Sequence, residues 1–276
     1  MRKIYNPETN GEITERNNLK LLNRLATIML VVCAVFCVFA YITSRTFYIA
    51  TVEGSSMFPT INSMQKSTKV NDVAYYTYTK TAKKGDIIIV DYAGAGEDID
   101  AIKRLIATGG DTICYYGGSI LLNGEVLKEQ YIEEAYNMLK NNEKYLYKSG
   151  FASADDWLEK GYQKSKTSFE KWCETLLDNG LTAEQKDAKL ADTTFFKKYE
   201  TDFAGSVTYS EVLGTYVLTV PENYIYFLGD NRSGSRDSSI IGPLESKHLL
   251  AKVSFISSGS ASIWTNFFKE LKYLFV

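Results

Sequence analysis

Gly54-Ser55-Ser56-Met57-Phe58-Pro59-Thr60 begins a dozen residues after the apolar run Leu25 to Ile42 (LATIMLVVCAVFCVFAYI), and the reading of these two stretches decides the rest of the chain. The run carries no charge, and at 1.5 Å per residue it rises about 27 Å as a helix, close to the thickness of a hydrocarbon core. A cleavable secretory signal has a shorter apolar core and a small-residue exit, whereas Tyr41, Thr43, Ser44 and Arg45 follow here. Residues 25–43 therefore read as a retained transmembrane helix. The loop behind it contains a serine, Ser56, held by the stiff backbone of Pro59, which suits a positioned hydroxyl.

Working back from the span, residues 1–24 form a polar tail with Arg2, Lys3, Arg16, Lys20 and Arg24, while only Arg45 follows closely. That bias places the tail in the cytoplasm and the remainder on the outer face of the cell membrane, as a single-pass protein. Lys plus Arg (31) nearly balances Asp plus Glu (33) over 276 residues, a net charge of -2, which argues against an electrostatic grip on nucleic acid. Cys33 and Cys37 lie in the apolar run. Cys114 and Cys173 match no metal spacing and read either as a disulfide in an oxidising space or as two core thiols, the second being simpler.

Working forward, Thr46 to Val52 reads as a strand feeding the Gly54 loop. A polar stretch separates that loop from Lys84-Gly85-Asp86, which turns the chain into the apolar strand Ile87 to Val90. Ala101 to Ala107 follows as a strand whose alternation puts Ala101, Lys103, Leu105 and Ala107 on one face and Ile102, Arg104 and Ile106 on the other. Short β pieces at 112–116 and 120–122 precede the hairpin turn Asn123-Gly124. From Glu129 the pattern turns helical, with Ser153 and Thr182 as caps and Gly180 as a stop. β character resumes at 206–209, 215–220 and 224–228, and 251–256 makes a last strand. Trp264, Phe267, Phe268, Leu271, Leu274 and Phe275 then recur at helical spacing, which fits either packing on the domain or lying on the bilayer.

The expected organisation is thus mainly β: a tail (1–24), a transmembrane helix (25–43), an outer β domain (44–128 and 206–276), and a cap-like helical insertion (129–205). Trp157, Tyr162, Phe169, Trp172, Phe195, Phe196 and Tyr199 are expected to form the insertion's own small core.

A serine nucleophile needs a base, and the one histidine, His248, sits in Leu244-Glu245-Ser246-Lys247-His248-Leu249 without triad partners at a recognisable spacing. Lysine remains. A free lysine near pKa ~10.4 is almost wholly protonated at neutral pH, and desolvation is the way to make it a base. Lys103, on an apolar strand face, has that setting, although on strand logic alone it reads first as a side chain snorkelling to solvent on an edge strand.

Ser56-Met57-x-Pro59, Gly85-Asp86, Lys103-Arg104, and Gly229-Asp230-Asn231-Arg232 with Ser235 and Asp237 occur in this order behind the anchor. The set resembles the motifs of the type I signal peptidases. The resemblance implies a signal-peptidase-like β domain and a membrane-bound serine endopeptidase that removes signal peptides from secreted preproteins after small residues. Ser56 is then the nucleophile, Lys103 the general base, and Ser235 the hydroxyl that orients the lysine. Asp230, Asn231, Arg232 and Asp237 hold the site structurally. Small substrate side chains would meet shallow pockets around Ser55, Met57 and Phe58 and the strand before Lys103. No metal or organic cofactor is implied, and the partners are preprotein signal peptides, the lipid bilayer and the secretion machinery.

The chain departs from the family pattern at three points. Some members have a serine two residues before the nucleophile as an oxyanion donor, and here that position is Gly54. Leu105 to Asp111 reads Leu-Ile-Ala-Thr-Gly-Gly-Asp where the family usually has Ile-Gly-Leu-Pro-Gly-Asp. Ser239 stands where a basic residue is common. Three other readings compete. A calcium loop at 230–237 lacks the one-three-five spacing and carries Arg232 and Arg236. A self-cleaving repressor needs a DNA-binding head where this chain has a membrane span. A membrane-tethered binding or scaffold protein on the same frame leaves the pairing of Ser56 with Lys103 unexplained.

Overall fold

The computed structural model describes residues 7–46, 48–62, 71–96, 98–142, 150–177, 203 and 205–257. The chain divides into two compact units, residues 1–48 and 49–276. The first contains one helix, α1 (Pro7–Thr46), which starts well inside the stretch read as a polar tail and continues through the apolar run. Its segment Arg16–Phe39 is long and apolar enough to cross a membrane, and Leu30, Val31 and Phe36 are exposed along it. A helix satisfies its own backbone hydrogen bonds, as a membrane span requires.

The second unit is mainly β, with strands β1 (Tyr48–Thr51), β2 (Val73–Tyr78), β3 (Ile87–Asp91), β4 (Asp100–Thr108), β5 (Thr112–Tyr116), β6 (Ser119–Leu122), β7 (Glu125–Val126), β8 (Val207–Ser210), β9 (Thr215–Thr219), β10 (Tyr224–Leu228), β11 (Leu244–Glu245) and β12 (Leu249–Ser257). Seven of them form a sheet in the order β1-β2-β12-β3-β4-β10-β11, and five form a second in the order β7-β6-β5-β9-β8. Strand β2 falls in the stretch read as polar; its Val-Ala-Tyr-Tyr-Thr-Tyr sequence buries only Ala74 fully, so its apolar signal is weak. The chain passes from one sheet to the other at Gly109-Gly110, where a side chain at Gly109 would run into the Glu222 backbone. Asp111 closes that turn by accepting from the Thr108 amide (2.9 Å), Lys84 Nζ and Asn123 Nδ2, so the unusual Gly-Gly-Asp sequence is fully tied.

Among the described residues, three α-helices complete the unit: α2 (Gln130–Lys140), α3 (Ala154–Leu177) and the single turn α4 (Ser238–Ile241). Ser153 caps α3, accepting from the Asp156 amide at 3.0 Å. Thr182, Gly180 and the C-terminal aromatic repeat lie outside the described residues. Among the described residues, the insertion does not keep a separate core. Phe169, Trp172 and Cys173 of α3 are buried in one cluster with Ile106, Tyr115, Leu218, Tyr226 and Leu228 of the sheets. Only Trp157 packs chiefly against α2, and Phe195, Phe196 and Tyr199 are not described. The reason is area: α3 presents an apolar stripe longer than α2 alone can cover, and the sheet face supplies the remainder. All four cysteines are free thiols.

Candidate active site

Strand β4 is central, paired with β3 on one side and β10 on the other, so both of its edges are hydrogen-bonded. Lys103 on it is only 4% exposed. Its Nζ donates to Ser56 Oγ at 3.0 Å and to the Ile102 carbonyl at 2.9 Å, and lies 5.9 Å from the centre of the Tyr92 ring. Burial pushes the Lys103 amine down from 10.5 to about 8, against the opposing pull of the Asp237 and Asp230 carboxylates.

The loop bearing Ser56 is positioned from below. Met57 and Ile61 are buried with Val52, Ala74, Ile89 and Ala251. Gly54 has φ +83°, a left-handed conformation that favours glycine. A buried pair that the sequence does not advertise anchors the two ends: the Asn62 amide donates to Asp72 (2.6 Å), the Asp72 amide donates back to Asn62 (2.7 Å), and Asn62 Nδ2 reaches the Val52 and Gly54 carbonyls. The Phe58-Pro59 peptide bond is cis.

The 229–239 loop packs against both the serine loop and strand β4. Arg104 makes a two-pronged contact with the fully buried Asp230 through Nε (2.9 Å) and Nη2 (2.6 Å), and its Nη1 donates to the Gly85 carbonyl. Thr60, on the serine loop, donates to the same Asp230 at 2.6 Å. Asn231 crosses back: its amide donates to the Ser56 carbonyl and its side chain to the Ser55 carbonyl, each at 3.0 Å. Asp237 accepts from the Gly229 amide (2.8 Å) and from the Ser239 amide and hydroxyl. Gly229 is essential to this closeness, because a Cβ there would lie within 2.5 Å of the Ser56 carbonyl oxygen and nearer still to Ser235 Oγ. The sequence marks that glycine as part of a motif but not as a packing constraint.

Ser235 is 4% exposed, and its Oγ has no hydrogen-bond partner among the described residues. Of the side chains expected at substrate pockets, Met57 lines a cleft of about 450 Å³ together with Ser56, Lys103, Val52, Tyr76 and Ile102. Ser55 and Phe58 do not line it. Ser55 is exposed, and Phe58 is turned away, buried against Ile132, Ala135, Leu139, Ala154 and Trp157 of the helical segment, because that apolar face offers it more cover than the cleft does. The walls supplied by β1, β2 and β12 were not legible in the sequence.

A family model described as signal peptidase, peptidase S26, matches residues 22–258. Signal peptidase I of Buchnera aphidicola subsp. Baizongia pistaciae is 30% identical over 182 residues, covering 65% of this chain and 56% of that protein. Signal peptidase I of Bacillus licheniformis is 34% identical over 83 residues, or 30% of this chain and 42% of the other. The chain thus spans about half the length of these two relatives. With signal peptidase I of Streptococcus pneumoniae serotype 4, identity is 24% over 214 residues, 77% of this chain and 83% of that one. A crystal structure of a signal peptidase I from Enterococcus faecalis V583 aligns at 21% identity with a TM-score of 0.30, covering 61% of this chain and 93% of that one. The family match runs through the strands, the serine loop, the lysine strand and the 229–239 loop alike, and on it the chain belongs to the signal peptidases of peptidase family S26.

Proposed function

We propose that this protein is a membrane-anchored serine endopeptidase that removes signal peptides from secreted preproteins after small residues, with Ser56 as nucleophile and Lys103 as general base. The observation that carries the reading is the buried contact of Lys103 Nζ with Ser56 Oγ at 3.0 Å. In the reactive state the amine is neutral and the hydrogen bond reverses, Ser56 Oγ–H donating to the Nζ lone pair. Oγ attacks the scissile carbonyl carbon as its proton passes to Lys103. The tetrahedral intermediate collapses, the Lys103 ammonium protonates the leaving amine, and an ester to Ser56 remains. Water then gives its proton to Lys103 and attacks the ester, and the protonated lysine returns the proton to Ser56 Oγ as the acyl group leaves.

The Ser56 amide makes no hydrogen bond among the described residues and supplies one oxyanion donor. A donor of this kind is worth around 3 kcal/mol in serine proteases. Gly54 offers no hydroxyl for a second. Ser235 Oγ, buried and unpaired, is the acceptor that holds the lysine ammonium once Ser56 has given up its proton. Asp230, Asn231, Arg232 and Asp237 fix the loop that presents it. The apolar segment of α1 serves as the anchor. The excess of Lys and Arg before the span orients the tail to the cytoplasm and the β unit outward, where signal peptides, and with them the bilayer and the secretion machinery, are its surroundings.

The test is cleavage of a preprotein with small residues one and three positions before the cut, in detergent or liposomes, by the wild-type chain and by Ser56→Ala and Lys103→Ala. Loss of cleavage in both variants supports the reading. A Lys103→Ala variant as fast as wild type removes the proposed base.

A further inference from the structure

The segment joining β7 to β8 reaches the back of the site at several points. Phe58, two residues after Ser56, is buried among Ile132, Ala135 and Leu139 of α2 and Ala154 and Trp157 of α3. On the other loop, Lys164 of α3 donates to the Ser233 carbonyl at 2.5 Å. Gly161 lets the α3 backbone close on Arg232, since a Cβ there would sit 3.1 Å from the Arg232 Cβ. The two helices thus grip the serine loop and the 229–239 loop together.

The charges are arranged to the same end. Glu129, immediately before α2, pairs with the Arg232 guanidinium through Nη2 and, at 3.4 Å, Nη1. Arg232 Nε donates onward to the Gly229 carbonyl at 3.0 Å. Glu129 also accepts from the Tyr131 hydroxyl at 2.5 Å, and the Tyr131 ring lies 3.8 Å from the guanidinium carbon of Arg104, the residue that clamps Asp230. Burial works against the Arg232 charge, but the Glu129 carboxylate and the other groups around the guanidinium together outweigh it and lift its pKa above the ordinary value. Side-chain exposures of 10% for Arg232 and 16% for Glu129 put the pair well out of bulk water, where such an interaction is weakly screened.

We propose that Glu129 is a positioning residue of the peptidase site: through Arg232 it sets the Gly229 backbone against which Ser56 and Ser235 are placed, and α2 and α3 are the buttress that keeps the serine and lysine loops in register. This inference rests on the Ser56/Lys103 reading above for its kinetic consequence but not for its structural one. Glu129 touches no reacting atom. Its effect is on geometry, and a small displacement of reacting groups is costly in rate.

The experiment compares wild type with Glu129→Gln, which keeps the shape and removes the charge, and with Gly161→Val, which pushes on Arg232 from the opposite side. Glu133→Gln, the same change at an exposed position one turn along α2, is the control. On a preprotein substrate, both test variants are expected to lower kcat per folded molecule by about 10- to 100-fold with KM within about twofold and to melt below wild type, while the control keeps the wild-type rate and melting temperature. Hydrogen exchange is read in parallel on uncleaved protein. Faster exchange of the 229–234 amides, that of Asn231 to the Ser56 carbonyl above all, with no change in β4 and β12, supports the proposal even for a preparation that cleaves nothing. Unchanged exchange at 229–234 in both test variants overturns it, whatever happens to Ser56→Ala. Wild-type kcat in Glu129→Gln, in a preparation where Ser56→Ala is dead, also overturns it.

Discussion

Lys103 Nζ lies 3.0 Å from Ser56 Oγ although the residues are 47 positions apart, and the lysine is buried with Ile88 paired to it across β3. The proposed catalysis requires an amine that can lose its proton near physiological pH, and burial shifts Lys103 in that direction.

The first expectation is therefore a pH profile. With Lys103 at about 8, kcat/KM is expected to rise roughly tenfold per pH unit below that value and to level off above it, since only the neutral amine takes the Ser56 proton. Initial rates between pH 6 and 10 check this. A profile flat through that range, or one falling from pH 7 to 9, contradicts a lysine base.

The same burial has a cost to the fold. An unfolded lysine titrates near 10.5 and the folded one near 8, so the unfolded chain binds more protons between those values and stability rises with pH across that window. Below pH 8 the full cost of the buried charge is present. Lys103→Met is expected to be inactive yet more stable than wild type at pH 7, by up to about 3 kcal/mol, with the difference fading towards pH 10.5. Urea unfolding of the two proteins at pH 7 and pH 10 measures it.

Arg104 and Asp230 are 8% and 0% exposed at the side chain, and their pairing joins β4 to the 229–239 loop. Asp230→Asn leaves the arginine charge buried with its partner neutralised, and a loss of about 3–5 kcal/mol is expected. Activity should fall further than the fraction unfolded explains, because Thr60 on the serine loop and Arg104 then compete for the one oxygen that remains. Thermal melting, with activity normalised to folded protein, separates the two effects.

Phe58 lies close to Ser56 in sequence but faces the helices. Phe58→Ala is expected to cost about 3–5 kcal/mol as a core truncation while leaving the preference among substrate residues before the cut unchanged. Met57→Ala, by contrast, alters a cleft wall and should change that preference. A panel of substrates varied at those two positions distinguishes them.

Much of the architecture follows from local pattern. The apolar run, the alternation over Ala101 to Ala107, the Asn123-Gly124 turn and the Ser153 cap are short-range signals, and each corresponds to the helix, strand, hairpin or cap found. Ser56, Lys103 and the Gly229-Asp230-Asn231-Arg232 run stand out as motifs because their spacing is linear. Strand β2 does not stand out, since a Tyr- and Thr-rich strand with one fully buried residue carries little periodicity. Three-dimensional closeness decides the remainder. The Asn62 and Asp72 pair, the need for glycine at 229, the turning of Phe58 into the helices and the sharing of α3 with the sheet core all depend on groups far apart in the chain. Spacing along the sequence determined which residues are candidates for chemistry. Only packing, which removes water from Lys103 and presses Gly229 against the Ser56 carbonyl, decided how they are placed.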